Sequence, residues 1–150
     1  GEPHAIREIR ASAIDGGGGR SWLFVEVTTA SGFVGAGEAS QNRLDEGTIA
    51  QLGRLAPAYL GRHPLDLVEA RGVRCAGSTL TASSRGDGAL EQALWDLGGQ
   101  ILGAPVYRLL GGPVHERLRL YANIEVATAT KEPEEYAANA ARAVAEGFTA

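Results

Sequence analysis

The chain has 150 residues and a formal net charge of −4, and its composition is 44% hydrophobic and 21% charged. This balance is typical of a globular protein and excludes an intrinsically disordered one, and the lack of a basic run argues against a nucleic-acid partner. No apolar run approaches the ~20 residues that span a bilayer, and the charged start GEPHAIREIR is unlike a secretion signal.

Alternating apolar and polar residues predict three β-strands at the start of the chain. The first is predicted over 5–14, the second within SWLFVEVTTA at 21–30 and the third within FVGAGEA at 33–39. The stretch DGGGGR at 15–20 is predicted to be a loop outside any regular element, and ASG at 30–32 a short turn. Consecutive strands joined by such short connections predict an antiparallel meander.

Helical spacing of the apolar residues takes over after Ser40. One helix is predicted within 44–64, where Pro57 interrupts the pattern, and a short amphipathic one over 65–76. Together with the meander, these segments predict an α+β domain.

The strongest helix pattern lies in DGALEQALWDLGGQILGAPVYRLLGG at 87–112. Asp87 is the predicted N-cap of this helix, and Gly103 is the predicted left-handed residue after its end. Pro105 is then predicted to open a second short helix at its first position. Apolar residues recur at steps of three and four and predict a core-facing stripe, which consists of Leu90, Ala93, Leu94, Leu97, Ile101 and Leu102.

The pattern changes again towards the end of the chain. RLRLYANIEV at 117–126 predicts a strand, and EPEEYAANAARAVAEG at 132–147 predicts a helix with Pro133 in its first turn and Gly147 as its terminator. FTA at 148–150 starts a further extended segment. This order begins a parallel α/β unit that one complete strand cannot bury, so we expect the chain to be the front part of a longer protein.

The order of these elements and the run ALEQALWDLGGQILGAPVYRLLGG at 89–112 resemble the enolase superfamily, in its mandelate racemase and muconate lactonizing branch. The resemblance implies an enolase-like capping domain over 1–112, then the first βα unit and the start of the second strand of a TIM-type barrel over 113–150. It also implies a magnesium-dependent racemase, cycloisomerase or acid-sugar dehydratase that abstracts the α-proton of a small carboxylic acid. The family's catalytic lysines and metal ligands fall beyond residue 150, so this chain alone is expected to be inactive.

Two carboxylates and a glycine pair interrupt the helix at 87–102. Glu91 and Asp96 are five residues apart and project about 140° apart, so they cannot converge on one substrate atom. We therefore predict structural roles for both. The Gly98-Gly99 pair predicts close approach of another backbone, which we expect to be that of the barrel.

The resemblance also indicates where the cap meets its substrate. The glycine-rich loop corresponds to one that closes over the substrate, and a guanidinium at its edge suits a substrate carboxylate. The segment after the third strand offers polar hydrogen-bond donors. In the strand predicted at 117–126, Asn123 and Glu125 share one face, which points either into the barrel near the active site or towards the helix layer. For the loop, the alternative is a solvated hairpin. The candidate substrate-binding residues are Gly16, Gly17, Gly18, Gly19, Arg20, Gln41, Asn42, Arg43, Asn123 and Glu125.

Cysteine and histidine usage bears on location and metal binding. The single cysteine, Cys75, cannot form an internal disulfide, which predicts a cytoplasmic protein. His4, His63 and His115 are far apart and lack ligand spacing, so no histidine metal site is predicted.

Two functional hypotheses remain open. One is the front part of a homo-oligomeric enzyme without nucleic-acid or membrane partners, whose Mg²⁺ is held outside this chain. The other is a non-catalytic, cap-like interaction module or one half of a split protein. A reading frame that continues past Ala150 with a Lys-x-Lys strand, followed by spaced Asp and Glu residues, favours the enzyme.

Overall fold

A computed structural model describes residues 2–17, 20–40, 45–66 and 82–150. The chain divides into two compact units, Gly1–Gly112 and Pro113–Ala150. The helix predicted over 65–76 lies outside the described residues from residue 67 onward, as does Cys75. Among the described helices, none is long and apolar enough to cross a membrane.

The predicted meander is confirmed in the first unit. Strands β1 (Ile6–Gly17), β2 (Arg20–Thr29) and β3 (Val34–Glu38) form an antiparallel sheet in the order β1-β2-β3. At the predicted turn between β2 and β3, Gly32 has a φ of +90°. Alternation along β2 separates a buried face, formed by Leu23, Val25, Val27 and Thr29, from a more exposed one.

The strands extend into the glycine-rich stretch, so the prediction that 15–20 lies outside any regular element is wrong at its two ends. Asp15 pairs with Ser21 and Gly17 pairs with Arg20 in the ladder. Gly17, in the last pair of this ladder, adopts a φ of +75°, a conformation that an L side chain disfavours.

Two helices follow the sheet in the first unit. Helix α1 (Asp45–Leu55) runs into a 3-10 turn (Ala56–Ala58) that contains Pro57, so the predicted interruption is confirmed. Helix α2 (Ala82–Leu102) lies against β3, β2 and α1.

Helix α2 begins five residues before the predicted N-cap, so Asp87 lies within the helix and the capping prediction is wrong. Gly86 and Gly88 have low helix propensity, but packing against α1 overrides it. A Cβ on Gly86 would lie 2.9 Å from Oε1 of Gln51, so this glycine lets the two helices approach.

The other end of α2 follows the prediction more closely. Gly103 has a φ of +63°, as expected for the residue after a helix. Pro105 is the N-cap of α3 (Val106–Leu109) instead of its first helical residue. The apolar stripe is buried as far as Leu97, whereas Leu102 is 55% exposed and does not belong to the core.

Glycines on β3 allow α2 to lie directly on the sheet. A Cβ on Gly35 would lie 2.1 Å from the carbonyl oxygen of Ala93, and one on Gly37 would lie 1.9 Å from that of Ala89. Because no side chain fits in either gap, helix and strand pack backbone against backbone. Around this contact lies the core, whose fully buried members include Leu23, Val25, Val27, Ala89, Leu90, Ala93 and Leu97.

The second unit differs from its prediction at 117–126. This stretch is not a strand: its end forms the short helix α4 (Ile124–Ala127). A strand is stabilised by pairing with neighbours. Among the described residues, the one backbone hydrogen bond that joins 117–123 to another segment runs from Ala122 N to Ala150 O, at 2.9 Å. The predicted second helix is confirmed as α5 (Pro133–Ala145).

Candidate functional site

The glycine-rich hairpin and the segment after β3 leave the sheet at the same end. Ala39 N donates to the carbonyl oxygen of Leu23 at 2.8 Å, and Leu23 N donates to Oγ of Ser40 at 3.0 Å. These bonds fix the end of β3 beside the beginning of β2, which starts at Arg20. Gly17 and Arg20 therefore lie at the same end of the sheet as Ser40.

Trp22 packs on the base of this hairpin. A Cβ on Gly16 would lie 2.2 Å from Nε1 of Trp22, so only glycine allows the indole to occupy its present position. On β1, Asp15 Oδ1 accepts a hydrogen bond from Gly17 N at 2.9 Å and fixes the end of that strand. Trp22 is 44% exposed and contacts the predicted site residue Gly16, although it was not among the residues predicted from the sequence.

Three of the predicted substrate-binding residues, Gly16, Gly17 and Arg20, lie at this end of the sheet, and Arg20 is exposed. Such a guanidinium can make a bidentate contact to a carboxylate. The other candidates of the first unit lie outside the described residues and remain predictions. They are Gly18, Gly19, Gln41, Asn42 and Arg43.

The two candidates of the second unit are held by α4. Asn123 is its N-cap, with Oδ1 accepting from Val126 N at 3.1 Å, and Glu125 lies in its first turn. The prediction assumed that Asn123 and Glu125 alternate along a strand and so face the same side. Because they lie at the start of a helix, this assumption does not hold, and their role in substrate binding remains a prediction. An open pocket beside Asn123 is also lined by Arg142, whose guanidinium donates to Oδ1 of Asn139 at 2.8 Å.

Glu91 and Asp96, for which structural roles were predicted, both accept hydrogen bonds within the first unit. Glu91 Oε1 accepts from Nε1 of Trp95 at 3.3 Å, one turn along the helix. Asp96 Oδ2 accepts from the backbone N–H of Ala36 at 3.0 Å. Asp96 thus binds a backbone donor on the side of β3 that faces away from β2.

The Gly98-Gly99 pair is explained within the first unit. A Cβ on Gly98 would lie 3.0 Å from Cδ2 of Leu65, and one on Gly99 would lie 2.7 Å from the carbonyl oxygen of Ala104. The approaching backbone at Gly99 is therefore the turn that follows α2, and the expected contact with a barrel is not needed to account for either glycine.

Two of the histidines meet in space although they are far apart in sequence. The ring centroids of His4 and His63 lie 5.7 Å apart, with the rings edge to face. Within the described ranges, no group of three or more His, Cys, Asp or Glu residues is placed to hold a metal ion. Two imidazoles are an incomplete set for zinc and the wrong donors for magnesium, so no metal-dependent step is derived from these residues.

The family of the chain follows from comparison with known proteins. A model of the N-terminal domain of mandelate racemase and muconate lactonizing enzymes matches residues 7–111, which include α2 and all of the sheet except its first residue, Ile6. The chain belongs to this family. The resemblance to the enolase superfamily is thereby confirmed, and the sheet with its helices is an enolase-like capping domain of the α+β class.

Individual members of the family match most of the chain. The D-galactonate dehydratase family member RspA of Halomonas elongata is 33% identical over 147 residues, which cover 94% of this chain and 35% of that protein. The structure of a mandelate racemase/muconate lactonizing enzyme-like protein from Rubrobacter xylanophilus superposes with a TM-score of 0.79 at 28% identity, over 99% of this chain and 41% of that one.

A second similar structure carries ligands. It is a protein of Burkholderia xenovorans bound to magnesium and fumarate, with a TM-score of 0.68 at 29% identity over 79% of this chain and 30% of that one. The chain thus spans less than half the length of each of these three relatives.

Proposed function

We propose that this chain is the capping part of a magnesium-dependent enzyme that removes the α-proton of a carboxylate substrate. The single observation that carries the proposal is the family match over 7–111, supported by RspA at 33% identity over nearly the whole chain. The catalytic lysines and the carboxylate ligands of the metal lie, on this proposal, in a TIM-type barrel that begins with unit Pro113–Ala150.

Dehydration of a sugar acid is the reaction that the relatives favour among racemisation, cycloisomerisation and dehydration. The chain is 34% identical over 111 residues to a D-galactonate dehydratase family member of Streptomyces bingchenggensis, as well as being similar to RspA. Dehydration removes the α-proton and then expels the β-hydroxyl as water, which leaves an enol that tautomerises to the 2-keto-3-deoxy acid. When bound, magnesium supplies positive charge that stabilises the enolate.

The capping domain contributes to substrate selection at the hairpin end of the sheet. Arg20 provides a cation for the substrate carboxylate, while Gly16 and Gly17 shape the turn from which it projects. Trp22 adds an exposed apolar surface beside them. We further propose a cytoplasmic homo-oligomer, for which the lone Cys75 and the family membership are the support.

The test uses the complete native protein in D₂O with a panel of sugar acids that includes D-galactonate. Proton NMR measures loss of the α-proton signal and formation of the keto-deoxy acid, with magnesium and with a chelator. We expect magnesium-dependent turnover of at least one sugar acid. No turnover or α-proton exchange with any member, while the protein is folded, would refute the proposal.

The role of the cap is tested separately by Arg20→Ala and by shortening the glycine stretch 16–19. Both variants should raise KM or change substrate preference, whereas Arg54→Ala on α1 removes the same charge and should leave KM unchanged. The 150-residue chain alone should exchange no α-proton. Turnover by that chain would show that the catalytic groups are misplaced in the proposal.

A further inference from the structure

The two edges of the sheet differ in how their backbone groups are bonded. On β3, the outward-facing groups of Ala36, Glu38 and Val34 bond to side chains of α2. Their partners are Asp96 for Ala36 N at 3.0 Å, Gln92 for Glu38 N at 3.1 Å, and Gln100 for Val34 O at 2.7 Å. These three helix residues are spaced four apart, so they form one row that covers the edge.

The other edge of the sheet is β1. The hydrogen bonds and pairing of β2 show which backbone groups of β1 point away from the sheet. Leu23 bonds to Ala39 and Thr29 N bonds to Phe33 O, so odd residues of β2 face β3 and even residues face β1. Glu8, Arg10 and Ser12 oppose even residues of β2 and therefore bond inward. The N–H and C=O groups of Ile9, Ala11 and Ala13 consequently point away from the sheet.

Within the described ranges, this outward row has no hydrogen-bond partner over the regular part of β1. At its start, Ile6 N donates to Arg62 O at 2.9 Å and Gly61 N donates to Ile6 O at 2.8 Å. Among the residues that the structure describes, no bond to Ile9, Ala11 or Ala13 follows on that side. Proteins protect such edges with Lys, Pro, bulges or a covering element. Residues 8–15 contain no Lys or Pro, and the register shifts lie outside them.

We propose that β1 pairs antiparallel with β1 of a second copy, around a two-fold axis at Ala11, to form one six-stranded sheet. The backbone of Ile9 then bonds to that of the partner's Ala13, and these main-chain hydrogen bonds hold the two strands together. A two-fold interface of this kind closes on itself and uses the same surface twice. The inference specifies the interface of the homo-oligomer proposed above and rests on it.

Charge complementarity selects this register. The edge begins with the cation Arg7 and ends with the anion Asp15, and antiparallel pairing brings Arg7 of each copy to the partner's Asp15. Arg10 stands opposite the partner's Ser12. A register centred on Arg10 would instead place its guanidinium opposite the partner's identical group, although each is paired with its own Glu26. Like charges directly opposite each other destabilise a strand pair.

Amide hydrogen exchange of the complete native protein tests the pairing, with sedimentation velocity to assign the oligomeric state. The amides of Arg10 and Ser12 should be protected in every state, because they bond to β2. Those of Ile9, Ala11 and Ala13 should be protected only in the dimer. Fast exchange of these amides in a dimer would refute the β1–β1 interface but not the proposed homo-oligomer. A protein that is monomeric at all concentrations would refute both the interface and the homo-oligomer. Protection of these amides in a monomer would refute the interface by showing that another segment of the same chain covers the edge.

A charge swap tests the register. Arg7→Glu places two anions together at each end and should raise the dimer Kd about tenfold, roughly the effect of 1.4 kcal/mol. The double variant Arg7→Glu with Asp15→Lys restores opposite charges and should bring the dimer Kd most of the way back to that of the wild type. Arg54→Glu on α1 makes the same charge change and should leave Kd unchanged. A Kd unaffected by Arg7→Glu, or not recovered by the swap, overturns the proposed register.

Discussion

Asp96 reaches from α2 to the backbone of β3, where its Oδ2 accepts the N–H of Ala36 at 3.0 Å. Gln92 and Gln100, one turn before and after it on the helix, bond to the same edge. An edge N–H that would otherwise face water or another chain is thus bonded within the domain. Side chains of α2 thus bond to backbone groups of β3 that a fourth strand would otherwise pair with.

Removing this acceptor should destabilise the first unit. Asp96→Ala leaves Ala36 N–H without its partner, and we expect it to lower the free energy of unfolding by about 1–3 kcal/mol. Asp96→Asn keeps an acceptor oxygen and should cost less than half as much. Urea unfolding followed by tryptophan fluorescence measures this, because Trp22 and Trp95 both belong to that unit. Asp66→Ala, which removes an exposed aspartate, is the control, and equal losses for all three variants would contradict the assignment.

The contact between α2 and β3 makes Gly37 irreplaceable. Gly37→Ala drives a Cβ to within 1.9 Å of the carbonyl oxygen of Ala89, and the helix must move to relieve it. We expect a loss of about 2–4 kcal/mol in the free energy of unfolding. Gly53→Ala meets nothing within 4 Å on α1 and should stabilise the helix by about 0.5–1 kcal/mol. The idea fails if the two variants melt at the same temperature.

Glu135 makes the second unit sensitive to pH. Its carboxylate accepts a hydrogen bond from the Thr130 hydroxyl and from the backbone N–H groups of Ala129 and Thr130, and these bonds lower its pKa below the ordinary value. The ionised form therefore stabilises the folded unit above the ordinary pKa. This contribution is lost as the pH falls through the lowered value.

Carbon-13 NMR of the Glu135 carboxyl group measures this pKa directly. Thr130→Val removes the hydroxyl donor, which is the largest cause of the shift, and should move the pKa back towards its ordinary value. Glu135→Gln should flatten the dependence of stability on acid pH, and Glu134→Gln is the neighbouring control. An unchanged pKa in Thr130→Val would show that the hydroxyl bond does not exist in solution.

Asn139 holds α5 to the last residue of α4 and to the residue that follows it. Its Nδ2 donates to Ala127 O at 3.2 Å and to Oγ1 of Thr128 at 3.0 Å, and it is 7% exposed. Asn139→Ala should raise amide exchange rates over 124–145 by the equivalent of about 1–3 kcal/mol. Asn139→Asp keeps the acceptor for Arg142 but loses both donated bonds, so it should resemble the alanine variant. Protection like that of the wild type in either variant would refute the role.

The meander could be predicted because the alternation of β2 and its flanking turns is local. The row Gln92, Asp96 and Gln100 could not, since polar residues four apart also describe a solvated helix face. The early start of α2 was hidden by Gly86 and Gly88, whose low propensity is overcome only by packing against α1. At 117–126 the alternation predicts a strand, but a strand forms only with neighbours to pair with.

The candidate site shows the same limit. The family resemblance, and not local spacing, indicated Gly16 and Arg20, which the antiparallel sheet places at the same end as Ser40. Trp22 was missed because its contact with Gly16 depends on the hairpin geometry and not on spacing. The prediction that Asn123 and Glu125 face the same side assumed a strand. It does not hold, because the backbone forms helix α4 there.

The spacing of the row on α2 limits how this domain can change. Substitutions on the exposed side of the helix leave the three bonds to β3 in place. An insertion or deletion of one residue between Gln92 and Gln100 rotates one part of the row by about 100° relative to the other, so at least one bond must break. The segment between these two glutamines therefore tolerates changes of side chain but not of length, and length differences among related caps are expected in its loops.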